Sequence, residues 1–230
     1  MSEKIVAVVS GGMDSVTMLH DLVNQGNEVS VISFDYGQKH VKELDVAAKN
    51  AQKLELAHTI VRMEFMKDIL SNSALTAGVA VPEGHYAAET MKATVVPNRN
   101  MIMASIAIGH AVNLGFDAVA LGVHSGDHAI YPDCRPEFVS ALRTASLIAN
   151  YEPVDILAPY LDLDKGRIIE RGLEIPTMDY SETWTCYKGL EKACGVCGSC
   201  QERLEGFAQN GIEDPIDYET REILPPDTQL

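Results

Sequence analysis

The stretch Ile5-Val6-Ala7-Val8-Val9-Ser10-Gly11-Gly12-Met13-Asp14-Ser15 constrains this chain more than any other. Its apolar run, Ile5 to Val9, is long enough for a buried strand and too short for a helix. The run stops at Ser10-Gly11-Gly12, and a helix-compatible segment starts at about Met13. A strand, a tight glycine turn and a helix N-terminus make an anion site from backbone alone, because the turn amides and the helix dipole present partial positive charge. Adjacent glycines let the backbone approach phosphate oxygens where a Cβ would collide. The hydroxyls of Ser10 and Ser15 can donate to the same anion. The Asp14 carboxylate makes sense beside phosphate mainly with Mg²⁺ between them. Read without a ligand, the same residues are a strand-to-helix turn with Ser and Asp as caps. The full SGGxDS string directly after a buried strand favours the phosphate reading.

The rest of the chain alternates strand-like and helix-like patterns. Strands are predicted at Val29–Phe34, His58–Met63, Asp117–Leu121 and Val154–Leu157. Helices are predicted at Val16–Gln25, Val41–Leu56, Met101–Leu114, Pro136–Ala149 and Leu163–Leu173. This order predicts an α/β fold, a doubly wound parallel sheet. The expected organisation is a nucleotide-binding domain over 1–175 and a metal-binding segment over 176–230. Residues 64–97 have weak periodicity and several breakers, as a lid, a binding segment or an interaction surface would. Within that interval a short helix is expected around Met66, and His85 and Tyr86 read as surface or lid residues.

Open α/β sheets put ligands just past the carboxyl ends of their strands. After the second strand come Asp35-Tyr36-Gly37-Gln38-Lys39-His40. Here Asp35 can hold a ribose hydroxyl or a purine edge, Tyr36 and Gln38 belong to the same loop, and Lys39 and His40 can face phosphate. An ordinary helix-capping loop fits those residues as well. Arg99 falls in the first turn of the helix after Val96-Pro97-Asn98, where a cation opposes the helix dipole. An anion bound at the helix start would compensate, so Arg99 is the best candidate for a catalytic cation on phosphate. The loop after the fourth strand holds Asp127, Tyr131, Asp133 and Arg135, which can read a heterocycle's edge and an acid group. In that loop His124 and His128 read as polar-loop residues, and Cys134 as a packed thiol or a nucleophile.

Cys186, Cys194, Cys197 and Cys200 follow the pattern C-x7-C-x2-C-x2-C. The short gaps let successive thiolates converge on one ion. Four thiolates with no open position describe a closed structural zinc site, with an iron–sulfur cluster as the rival. Trp184 can stack on a base or pack against the site. The formal net charge of −15, from 18 basic and 33 acidic residues, argues against direct nucleic-acid binding and against anionic membranes. With no leader pattern and no long apolar run, the expected location is the cytoplasm. There is neither a G-x-x-x-x-G-K-[ST] nor a G-x-G-x-x-G string, so Walker and dinucleotide readings lack their main support.

The SGGxDS grip resembles that of the PP-loop ATP pyrophosphatases, which cleave ATP between the α and β phosphates. Taken in order, SGGMDS, FDYGQKH, VPNRN, YPDCRPEF and the four-cysteine cluster make the chain from about Lys4 to Phe207 similar to the 7-cyano-7-deazaguanine synthases. That resemblance implies a ligase using ATP, 7-carboxy-7-deazaguanine and ammonia, passing through an adenylated carboxylate and an amide to the nitrile. It implies a nucleotide grip at Val8, Val9, Ser10, Gly11, Gly12, Asp14 and Ser15, with Arg99, Lys39 and Asp14 as catalytic residues. It also implies zinc on the four cysteines and a homodimer. The rival readings are a synthetase stopping at the amide, a tRNA-thiolating PP-loop enzyme, and a nonenzymatic module binding zinc and nucleotide. The residues after Phe207 carry no reading.

Overall fold

The computed structural model describes residues 2–38, 42–70, 73–75 and 80–225. β1 (Lys4–Val8), β2 (Glu28–Asp35), β3 (His58–Arg62), β4 (Ala118–Ala120) and β5 (Asp155–Leu157) form one sheet in the order β3-β2-β1-β4-β5. Every neighbouring pair is parallel. Successive strand residues point to opposite faces. In β1, Ile5 and Ala7 therefore enter one core while Val6 enters the other. Both faces are covered, which is why these strands read as continuous apolar runs.

One face is covered by α1 (Met13–Asn24), α2 (Lys42–Lys53) and α6 (Lys165–Leu173), through residues such as Leu19, Ala47 and Ile168. The other face is covered by α4 (Arg99–Leu114) and α5 (Pro136–Ala149), through Met103, Ala107 and Leu142. The doubly wound parallel sheet expected from the sequence is what forms. Its order reverses between β1 and β4, so a crevice opens beyond their carboxyl ends. The SGG turn leaves from β1 and residues 122–124 from β4, and both therefore reach that crevice.

Several boundaries differ from expectation for identifiable reasons. α2 ends at Lys53, and Glu55 beyond it has a φ of 56°. α4 starts at Arg99, two residues earlier than predicted, after Asn98 in the left-handed region. Ala104, Ala107 and Ala111 let one face of α4 lie against the sheet, while Met101 and Leu114 remain exposed. α3 (Met66–Ile69) is the short helix expected in the 64–97 interval, and Glu89–Thr94 adds a 3-10 turn. His85 is buried rather than at the surface, with Nε2 3.0 Å from Glu205 Oε1 and Nδ1 accepting from the Ala87 amide.

α7 (Gly198–Gln209) packs against α6 and carries the fully buried Arg203. Its guanidinium pairs with Asp214 at 2.7 and 2.9 Å and donates to Thr183 Oγ1 and the Tyr180 carbonyl. The tail that carried no sequence reading thus supplies a buried counter-ion. No helix among the described residues is long and apolar enough to cross a membrane. Removing one partner of a buried pair leaves an uncompensated charge, at a cost of about 3–5 kcal/mol. Asp214→Ala is expected to lower the unfolding free energy by that amount, read as a lower denaturation midpoint in urea.

Candidate active site

The turn after β1 is braced by its own hydroxyls. Ser15 Oγ accepts from the Ser10 amide at 3.2 Å and donates to the Gly12 carbonyl at 3.0 Å, while Ser10 Oγ accepts from the Gly12 amide at 3.1 Å. Gly11 has a φ of +96°, and a Cβ there would lie 1.9 Å from the Glu43 carbonyl oxygen of α2. Its own carbonyl accepts from the Trp184 amide at 3.1 Å. Sterics alone therefore demand glycine at this position.

Beyond the turn lies a cavity of about 220 Å³ at the crevice between β1 and β4. Val8, Val9, Ser10, Gly12, Asp14 and Ser15 form one wall. Lys165, the first residue of α6, reaches this wall from a buried position and places Nζ 2.7 Å from Asp14 Oδ2. The same ammonium lies 3.3 Å from Glu202 Oε2 and 3.0 Å from His124 Nε2. Burial alone would lower the Lys165 pKa, but the Asp14, Glu202 and Asp127 carboxylates outweigh it and hold it above its ordinary value. Burial would raise Asp14, yet Lys165 and His124 hold it below the usual carboxylate range. For Glu202 burial wins over Lys165, and its pKa is raised. The second oxygen of Asp14, Oδ1, is buried with no hydrogen-bond partner among the described residues.

Arg99 lines the same cavity, as do Tyr36, Gln38, Glu43 and Cys134. The one hydrogen bond found for its guanidinium is to Tyr36 Oη at 3.3 Å, and no carboxylate among the described residues lies within ion-pair distance. A guanidinium carries five donors. Its remaining donors can serve an anion in the cavity. Burial pushes the Glu43 carboxyl well above its usual value, with the Arg99 charge opposing.

The remaining expected residues are dispersed. Asp35 turns back, its Oδ1 accepting from the Gly37 amide at 3.2 Å. Gln38 faces the cavity, although its amide group braces the Tyr36 and Phe34 backbone. Asp133 lies at the start of α4, where Oδ2 accepts from the Asn100 amide at 2.9 Å. That carboxylate meets the exposed helix end, so the dipole argument that singled out Arg99 is answered by Asp133 rather than by a ligand. Arg135 is exposed and donates Nε to the His128 carbonyl at 2.7 Å. Asp127 lines the main cavity, 3.5 Å from His124 Nε2. Tyr131 lines a smaller adjoining cavity and shares hydroxyl contacts with Thr94 and Tyr187 at 2.6 and 3.3 Å. Lys39 and His40 lie outside the described residues.

Sequence reasoning missed Lys165, Glu202 and Glu43, and it treated His124 as an ordinary loop residue. Lys165 had a legible signal, a cation opening a helix behind the N-cap Asp164. Glu202 and Glu43 sit on helices whose polar faces gave no sign of facing a cavity.

The sulfurs of Cys186, Cys194, Cys197 and Cys200 lie within 4.8 Å of one another, all buried and none in a disulfide, as a metal ion requires. Amides of Cys194 and Cys197 point at the sulfurs of Cys186 and Cys194 at 3.3 and 3.4 Å. Gly195 permits the turn at a φ of +76°, where a Cβ would lie 1.8 Å from the Thr220 carbonyl oxygen. Trp184 packs on this cluster, donating Nε1 to the Cys186 carbonyl at 3.1 Å beneath Lys42 Nζ, 3.7 Å from its ring centroid. Of its two readings, packing is the one seen.

Known proteins resemble this chain over nearly its whole length. The family profile described as "Queuosine biosynthesis protein QueC" matches residues 4–211. The chain is 54% identical over 219 residues to a protein named 7-cyano-7-deazaguanine synthase from Marinobacter nauticus, covering 95% of this chain and 99% of that one. It is 55% identical over 217 residues to a protein of the same name from Hahella chejuensis, covering 94% of each chain. Among solved structures, the NMN synthetase of Francisella tularensis aligns with a TM-score of 0.51 at 11% identity, over 92% of this chain and 78% of that one. At that identity the likeness concerns the fold alone.

Cys134 also lines the main cavity, with Asn100 Nδ2 3.2 Å from its sulfur. Burial, and then the charges of Asp127 and Asp133, push this thiol far above its ordinary range. A neutral thiol is a poor nucleophile. Cys134→Ala is accordingly expected to keep kcat within about an order of magnitude of the unmodified protein, whereas removing a covalent nucleophile typically costs many orders. Steady-state kinetics on the variant makes the distinction.

Proposed function

This chain belongs to the family described as queuosine biosynthesis protein QueC, and from that membership and the cavity's geometry we infer that it is an ATP-dependent carbon–nitrogen ligase. Its substrates in this reading are 7-carboxy-7-deazaguanine, ammonia and ATP. The observation that carries the reading is one cavity lined both by the braced SGG turn, whose amides and hydroxyls can hold phosphate, and by the Arg99 guanidinium. Adenylation brings together two anions, a triphosphate and a carboxylate, and needs fixed donors and a cation to hold them against their repulsion.

In the first half-reaction a substrate carboxylate oxygen attacks the α-phosphorus and the bond to the β-phosphate oxygen breaks. The amides and hydroxyls of Ser10, Gly12 and Ser15 hold the departing pyrophosphate, and Arg99 steadies the negative charge on the α-phosphate. Ammonia then attacks the acyl carbon, AMP leaves with the bonding electron pair, and loss of a proton gives the amide. A second ATP adenylates the amide oxygen, and loss of AMP and protons gives the nitrile. Glu43, the carboxylate on the Arg99 side of the cavity, is assigned to the N–H edge of the heterocycle. Magnesium, when bound, neutralises pyrophosphate charge, and Asp14 with its unpartnered Oδ1 would hold it.

For the cysteine cluster we assign zinc. A tetrahedral ion with zinc–sulfur bonds of about 2.3 Å sets its sulfurs about 3.8 Å apart, and Cys194 and Cys200 Sγ are 3.9 Å apart. Residues 176–230 are taken as the zinc-binding segment packed on a nucleotide-binding domain over 1–175. The acidic net charge favours a small-molecule enzyme of the cytoplasm without nucleic-acid contact, and a homodimer follows from the family resemblance alone.

Mass spectrometry of a reaction with ATP, Mg²⁺, ammonium and 7-carboxy-7-deazaguanine is expected to find the nitrile with AMP and pyrophosphate. Amide as the sole base product would remove the second activation, and unreacted base with intact ATP would remove the reading. Arg99→Ala is expected to lower kcat/KM by roughly 10²–10³, the range for losing one stabiliser of transition-state charge. Metal analysis is expected to return one zinc per chain and no visible iron–sulfur absorption, with chelation unfolding the cysteine segment.

A further inference from the structure

A second, smaller cavity adjoins the first. Its volume is about 20 Å³, room for one molecule of water's size, which needs roughly 10–15 Å³. Asp127, Tyr187, Ser199 and Glu202 line both cavities, so the two meet at a partition of polar side chains. Its remaining walls are Tyr86, Met91, Ile130 and Tyr131 with the glycines Gly126 and Gly198. The glycines matter to its size. A Cβ on Gly126 would lie 2.0 Å from Glu202 Oε1, and one on Gly198 would lie 2.8 Å from Met91 Sδ.

The wall chemistry restricts the occupant. Two carboxylates and no cationic side chain in the lining reject phosphate and carboxylate groups. Magnesium keeps near-octahedral oxygen coordination and several waters, which one water's volume bounded by Ile130 and the Met91 thioether cannot supply. A small cation with diffuse charge is different. It gains from two carboxylates, from phenol hydroxyls as acceptors, and from aromatic faces. The reaction proposed above consumes one molecule of that size and chemistry.

We propose that this side cavity, bounded by Asp127, Glu202, Tyr86, Tyr131 and Tyr187, is the binding site for the ammonium ion and its ammonia form, which pass between Asp127 and Glu202 to the adenylated carboxyl group. The assignment rests on the ammonia-dependent reading of the main cavity. Anionic substrates then occupy the large cavity with Arg99 and the SGG turn, and the nitrogen source occupies a compartment whose charge excludes them. Asp127, expected from the sequence to read the heterocycle, takes the nitrogen source instead.

Two variants outside the main cavity test this. Ile130→Phe fills the small space, and Met91→Ala enlarges it. In Ile130→Phe the KM for ammonium is expected to rise by roughly tenfold or more, the scale on which one methylene is discriminated in a fitted pocket. Its pyrophosphate exchange, driven by 7-carboxy-7-deazaguanine without ammonia, should be unchanged. In Met91→Ala the preference for ammonia over methylamine, as kcat/KM, is expected to fall by a similar factor. A folded Ile130→Phe protein with normal exchange and unchanged ammonium KM would overturn the assignment, as would unaltered amine preference in Met91→Ala. Absent exchange in the unmodified protein would strike the adenylation reading instead. Should the variants not fold, crystals of the unmodified protein soaked in rubidium, an ion of ammonium's size, decide the matter. Anomalous density in the small cavity supports the site, and its absence there overturns it.

Discussion

The buried ammonium of Lys165 is the interaction on which the rest of the site depends. It lies 5% exposed at the start of α6, between Asp14 of α1 and Glu202 of α7. Burying a lone charge is costly, and burying it between two carboxylates from other helices makes each helix a condition of the others. Asp14 lies two residues beyond the SGG turn, so this ion group also anchors the start of the helix that the turn leads into. The carboxylates outnumber the cation. Glu202 and Asp127 line the small cavity as well as the large one, while Arg99 lines the large one only.

The meeting of these charged groups at one cavity follows from the sheet. Parallel strands ordered β3-β2-β1-β4-β5 send their following loops to one edge, and only the reversal between β1 and β4 leaves room between loops. Residues from β1, from β4 and from the starts of α4 and α6 meet there although they are far apart in sequence. Asp133 contributes indirectly. By taking the Asn100 amide it satisfies the start of α4 and leaves the Arg99 guanidinium to the cavity.

The strands and most helices were legible because their signals are local: apolar runs, period, and breakers at the ends. The SGG turn and the four cysteines were legible because their spacing is itself the chemistry. Asp127 and Arg99 were found at the cavity, but Asp35, Asp133 and Arg135 do not line it. A loop residue's position shows that it can reach a crevice, not which backbone group its side chain will take. Glu202, Glu43 and Asp214 were invisible for a related reason. Each is an ordinary acidic residue in its segment, and its role comes from what tertiary packing sets against it. Lys165 is the exception, since the cue that drew attention to Arg99 was present there too.

α7 joins these arrangements in consecutive residues. Cys197 caps it, Ser199 and Glu202 face the cavities, Cys200 turns to the sulfur cluster and Arg203 enters the buried pair with Asp214. Each added residue rotates the following helix positions by about 100°. One insertion between Cys200 and Arg203 would therefore misdirect Glu202 and the buried guanidinium together while leaving composition almost unaltered. The turns between Cys186 and Cys194 are held differently, by the ion pair of Lys188 with Glu83 and by the Ala193 amide donating to the Asp217 carbonyl at 2.9 Å. In α7, by contrast, chain length and site geometry are the same thing.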